Sequence, residues 1–135
     1  MKIVRYEDDL KVMVSTPLKR SEDHGKVRSA IENVLGRGVS LKEKDGQLHF
    51  VGFDEEFLYP LYEALRKRRT LAVARRLLLN NGEEGKTHIL LNKQAAFVGT
   101  LVVCEDEAES PLGPIELTIE TKNLDSFIDW LTGDK

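Results

Sequence analysis

The chain has 135 residues, 41% apolar and 32% charged, with a formal net charge of −3. That length fits one domain spanning 1–135, since a chain of about 150 residues buries roughly 68–70% of its unfolded surface. The single cysteine, Cys104, excludes an intramolecular disulfide, and no continuous apolar run suits a signal peptide or a membrane span, so a cytoplasmic address with no membrane partner is expected.

Leu10, Val12 and Val14 alternate with Lys11, Met13 and Ser15, which predicts a strand with one buried face, ended by Pro17. Ser21 reads as the N-cap of a helix with Glu22 and Asp23 in its first turn. Val27, Ala30, Ile31, Val34 and Leu35 follow at helical spacing, and Gly36 and Gly38 supply the stop. Asp45-Gly46 between Leu41 and Leu48 predicts a hairpin with a two-residue type I′ turn, placing Leu41 opposite Phe50. Phe50 and Phe53 are both expected in the core.

A second helix opens at Asp54-Glu55-Glu56 with Phe57, Leu58, Leu61 and Leu65 on one face. Leu71, Ala74 and Leu78 cannot continue that stripe, so two consecutive helices are predicted, Thr70 capping the second and Asn81-Gly82 closing it. His88 to Leu91 and Phe97 to Val103 read as two strands joined by the polar tip Asn92-Lys93-Gln94. An acidic loop from Glu105 to Ser110 leads to a strand with Ile115, Leu117 and Ile119 inward. Asn123 caps a last helix bearing Leu124, Phe127, Ile128 and Leu131. The order β-α-β-β-α(α)-β-β-β-α predicts an α+β two-layer sandwich, with a mainly antiparallel mixed sheet and helices on one face. The uncovered face is then available for binding or dimerisation.

No catalytic constellation stands out. Gly82 to Thr87 ends like a phosphate-binding P-loop, but a helix precedes it, a strand follows it and Glu83 and Glu84 occupy the would-be cradle, so a plain turn is expected. His24, His49, His88 and Cys104 show no zinc spacing, and the Glu105 to Glu109 run lacks the spacing and central glycine of a calcium loop. No metal, cofactor or small-molecule substrate is implied. Cys104 is expected as a small buried hydrophobe.

The strongest functional signal is electrostatic. Pro60 to Asn80 carries Arg66, Lys67, Arg68, Arg69, Arg75 and Arg76 against one acid, Glu63, whereas the chain from Glu105 onward is strongly acidic. Such a dipolar surface steers an anionic partner or draws two copies together. Arginine forks suit phosphate oxygens, and several on one side bind nucleic acid through counterion release. The bland reading is a solvated face with arginines paired to the chain's own acids. Lys93, at the polar tip, admits two roles as well. With Asn92 and Gln94 it could meet an RNA backbone, or the tip could bond locally and hold Gly99 and the acidic loop in place. Trp130 falls at the rim of the last helix's stripe, or serves as an interface anchor.

At Leu91-Asn92-Lys93-Gln94-Ala95-Ala96, followed by Gly99 and by Pro111-Leu112-Gly113-Pro114-Ile115, the chain resembles a family of uncharacterised archaeal proteins described as predicted RNA-binding. That family is related to a predicted exosome-associated family similar to double-stranded-RNA-binding domains. Ser21-Glu22-Asp23 ahead of Lys26-Val27, and Phe127 to Leu131, carry the same resemblance. It implies an α+β fold similar to a large-subunit ribosomal protein of the 5S-RNA neighbourhood, a homodimer and no catalytic residues. It also leads to an expected acid where Ala72 stands.

The expectation is therefore a non-catalytic protein of archaeal translation or RNA processing that binds structured RNA through Arg66, Lys67, Arg69, Arg75 and Arg76, with Lys93 added. The rival is a protein-interaction or assembly module, in which the same basic helix meets an acidic partner such as the Glu105 to Glu109 loop of another subunit.

Overall fold

The computed structural model describes residues 3–133. Strand β1 (Leu10–Pro17) buries every second residue, because a pleated strand sends successive side chains to opposite faces. It lies near the centre of a six-stranded sheet of order β2-β3-β1-β6-β4-β5, in which β2 is Lys42–Lys44, β3 Gln47–Gly52, β4 Lys86–Leu91, β5 Val103–Cys104 and β6 Ile115–Thr121. Every pairing is antiparallel.

Asp45 and Gly46 take φ of +52° and +73°, as a type I′ turn requires. The hairpin pairs Lys42 with His49 and Lys44 with Gln47. That is the register expected from Leu41 and Phe50, although β2 itself is only three residues long.

Helix α1 (His24–Leu35) starts later than predicted. Asp23, not Ser21, is its N-cap, accepting from the N–H groups of Gly25 at 2.8 Å and Lys26 at 3.3 Å. Glu22, expected in the first turn, instead accepts from the Lys19 N–H and turns inward. A 3-10 turn over Glu55–Leu58 runs into α2 (Tyr59–Lys67), and α3 (Leu71–Asn80) follows as a separate helix. Arg69 breaks the two at φ +56°, a left-handed conformation that no helix can contain.

The largest departure lies between β4 and β5. The apolar run from Phe97 to Val103 predicts a strand, but α4 (Lys93–Phe97) takes its first residue, leaving only Val103 and Cys104 in the sheet. The cause is local: Asn92 Oδ1 accepts from the Ala95 N–H at 2.9 Å, capping a turn of helix-compatible residues. Gly99, at φ +80°, follows the helix end. The full order becomes β-α-β-β-α-α-β-α-β-β-α, ending in α5 (Leu124–Thr132).

All the helical stripes face one side of the sheet. Val27, Ile31, Leu58, Leu61, Leu65, Leu78, Phe127, Ile128 and Leu131 meet Val12, Val14, Leu48, Ile89, Leu91, Ile115, Leu117 and Ile119 in one core. Each such side chain contributes about 1.5–3 kcal/mol on burial. Trp130 sits at the rim, against Tyr6, Tyr62 and Phe127, and its Nε1–H donates to the Val4 carbonyl at 2.6 Å. Phe53 departs from expectation, being 71% exposed. Leu48, Phe50 and Gly52 point inward, so Phe53 continues the outward parity of His49 and Val51.

The other face of the sheet carries no helix. It presents Val51, Met13, Thr118 and His88 in one row across the strands and His49, Ser15, Glu116 and Leu90 in the next.

Candidate nucleic-acid interface

Helix α2 buries Leu61, Tyr62 and Leu65, so the residues that follow Leu65 emerge at a corner between α2 and α3. Lys67, Arg68 and Arg69 are exposed there and make no side-chain hydrogen bond or ion pair among the described residues. Arg68, which the helical stripe does not single out, is the C-cap of α2 and stands beside Lys67. Its place in the unbroken basic run Arg66 to Arg69 is the signal that marks it in the sequence.

The other predicted arginines are engaged. Arg66 lies half-buried with its guanidinium 3.4 Å above the Tyr62 ring. It donates to the carbonyls of Tyr62 at 3.0 Å, Leu131 at 2.9 Å and Gly133 at 2.8 Å. It thus satisfies the open carbonyls at the end of α5, where a helix dipole favours a cation. Arg75 pairs with Asp129 at 2.7 Å and donates to Thr132 Oγ1 at 3.3 Å. Arg76 pairs with Glu105 at 2.6 Å, tying α3 to the acidic loop of its own chain. Both pairs are solvent-exposed, so each contributes at most about 1 kcal/mol and leaves N–H groups facing water. Arg66, Arg69 and Arg75 nevertheless converge on one open hollow of about 450 Å³, completed by Leu71, Ala72 and Thr132.

Lys93 does not belong to this surface. Its side chain is fully enclosed, with Nζ donating to the carbonyls of Pro17 at 2.7 Å and Leu112 at 2.8 Å and to both Glu22 oxygens at 3.1 Å. Burial pushes its ammonium pKa down, and the adjoining Glu22 carboxylate works against that shift. An enclosed ammonium cannot reach an RNA backbone, so the expected RNA contact at Lys93 is replaced by a structural one. Its neighbours bond locally too. Asn92 Nδ2 donates to the Glu109 carbonyl at 3.0 Å, and Gln94 Oε1 accepts from Ser110 Oγ at 3.1 Å. The polar tip therefore anchors the acidic loop.

Two further sequence features resolve as structure. In the segment with the P-loop likeness, Glu84 and Gly85 form a turn at φ +47° and +77°, and Glu83 and Lys86 bond across it. Cys104 is buried, and burial followed by Glu109 and Asp106 pushes its thiol pKa up to about 11. Among the described residues no cluster of three or more His, Cys, Asp or Glu could hold a metal ion, and no helix is long and apolar enough to cross a membrane.

Residues 11–121, which contain five of the six strands complete and nearly all of β1, match the family model described as "RNA binding". The chain belongs to that RNA-binding family. Its relatives are archaeal: a UPF0201 protein of Sulfurisphaera tokodaii is 38% identical over 125 residues, covering 90% of this chain and 86% of the relative. Another, from Metallosphaera sedula, is 32% identical over 123 residues with the same coverage. Among solved structures, a UPF0201 protein from Methanococcus jannaschii superposes with a TM-score of 0.76 at 28% identity, covering 93% of this chain and 94% of that one.

Proposed function

We propose that this protein is a non-catalytic RNA-binding protein of archaeal translation or RNA processing, which holds structured RNA against the α2–α3 corner. The observation that carries the reading is the run Lys67, Arg68, Arg69, exposed and unpaired among the described residues, flanked by Arg66, Arg75 and Arg76. Cations held on a rigid helix corner gain affinity by displacing counterions from phosphates, so binding is strongly salt-dependent and weakly sequence-specific. The chain's net negative charge directs RNA to this corner and away from the acidic loop. A cytoplasmic homodimer fits the same picture, the uncovered sheet face with its mixed Lys, His and Glu side chains being open to a second copy.

The test is fluorescence anisotropy with a structured RNA across a salt series, comparing wild type with Lys67→Glu/Arg68→Glu. These side chains are exposed and hold no other part of the fold among the described residues, unlike Arg66. Binding lost in the double variant, with an unchanged circular dichroism spectrum, supports the reading. Equal binding by both proteins, or none at low salt, overturns it. The rival assembly role is favoured less, because Arg76 already meets Glu105 within its own chain.

A further inference from the structure

The exposed run explains attraction to a polyanion, but the hollow beside it is more selective than attraction needs. Arg66 comes from α2, Arg69 from the turn and Arg75 from α3, yet all three line the same concavity of about 450 Å³. Their own partners leave donors over. Arg66 spends its terminal nitrogens on three carbonyls but keeps its Nε–H. Arg75 is ion-paired with Asp129 at 2.7 Å and gives one N–H to Thr132, and the Arg69 guanidinium has no partner among the described residues. A guanidinium carries five N–H donors, so unused ones remain on each. Among the described residues, three cations against the one carboxylate of Asp129 leave the hollow with a net positive charge near two. Leu71 and the small Ala72 complete its lining, and among the described residues no larger side chain stands between the arginines.

A phosphodiester of an RNA backbone carries one charge and stands on a convex ridge, for which an open surface suffices. A phosphate monoester carries about −1.5 to −2 at pH 7 and three acceptor oxygens, and at a chain end it can enter a concavity. Arginine forks match that geometry as well as that charge. The volume is also within the range of about 300–1,000 Å³ typical of small-ligand clefts, which admits a phosphate with part of its nucleoside.

We propose that the hollow between Arg66, Arg69 and Arg75 is a phosphate-monoester site that takes the 5′-phosphorylated end of an RNA strand. The inference rests on the RNA-binding reading above and deepens it: the corner supplies general affinity, and the hollow selects the end group.

The experiment compares a short RNA bearing a 5′-monophosphate with the same RNA bearing a 5′-hydroxyl, by anisotropy at fixed salt, with adenosine monophosphate titrated by calorimetry as a separate arm. Wild type should bind the phosphorylated RNA at least about tenfold more tightly, the discrimination expected from charge-assisted hydrogen bonds. Arg69→Asn keeps a residue that tolerates positive φ but removes the fork, and should reduce that ratio towards one. Ala72→Glu places a carboxylate among the arginines at an exposed position in the first turn of α3, where an acid favours the helix. It should abolish the preference without loss of fold. Lys67→Glu/Arg68→Glu should weaken both RNAs alike and keep the ratio. Equal affinity of wild type for the two RNAs overturns the phosphate-end proposal while leaving the RNA-binding reading intact. If neither RNA binds but adenosine monophosphate does, and Arg69→Asn abolishes that binding, the monoester site stands with a free nucleotide as its ligand. If nothing binds in either arm, both readings fall.

Discussion

Among single residues, Lys93 shows how far a charged side chain can depart from its usual setting. An ammonium with no exposed surface is costly unless paired, and here one carboxylate and two carbonyls receive it. Replacing it by methionine would strand the Glu22 carboxylate, only 2% exposed, in the interior. Lys93→Met should therefore destabilise the protein by about 3–5 kcal/mol in urea unfolding. Adding Glu22→Leu should recover part of that loss, but not all, because the Pro17 and Leu112 carbonyls still lack their donor. Cys104 gives a prediction in pH. Its folded thiol pKa of about 11 lies above the unaltered value of 9.0, so the folded state keeps its proton longer. The associated stability is complete below about pH 9 and is lost as pH rises through about 11. Wild type should accordingly lose stability relative to Cys104→Ala over that alkaline window, as read from urea midpoints, and the native thiol should resist alkylation at neutral pH.

Short capped segments decide the local architecture of this fold at the scale of the element. The stretch after β4 is rich in Phe, Val, Leu and Thr, which suits a strand, yet Asn92 starts a helix there. The cap satisfies an N–H that a strand would have to pair elsewhere, and the same side chain reaches the Glu109 carbonyl. Asn92→Ala removes both bonds and should cost about 1–2 kcal/mol in chemical denaturation, with faster amide exchange in α4 and the acidic loop than elsewhere. Helices α2 and α3 are separable in the sequence because the apolar phase slips after Leu65. The left-handed turn at Arg69 is what that slip means physically. It also puts Arg69 beside Arg66 and Arg75, which a continuous helix would have spread along one axis.

For the whole molecule, charge and shape work at different ranges. The chain is acidic overall, yet three exposed cations gather at one corner. For RNA binding this predicts a steep fall of affinity with salt. Lys67→Glu/Arg68→Glu should lower the log–log slope by roughly 1.4–1.8, at about 0.7–0.9 for each phosphate that the variant no longer neutralises. A slope that does not change would mean that these residues touch no phosphate. Arg66→Met should behave differently, reducing stability in thermal unfolding because it ties α2 to the end of α5. Weaker binding in that variant would therefore carry no weight by itself.

The sequence alone determined the α+β class, five of the six strands, the type I′ hairpin and its register, the break between α2 and α3 and the basic run after Leu65. All of these follow from local periodicity, turn chemistry or composition, which operate within a few residues of chain. What depends on distant partners was decided only by the tertiary structure. Glu22 read as a first-turn acid and Lys93 as a polar-tip cation with two open roles, and nothing in the sequence joined them as the enclosed pair they form, because the two lie 71 residues apart along the chain. Phe97 to Val102 read as a strand and are not one, because a side-chain cap outcompeted β propensity. Arg66 and Arg69 read as equivalent cations, whereas one caps α5 and the other has no partner among the described residues. Which charges face water is a property of the packed molecule, since it depends on what the folded chain brings against each of them.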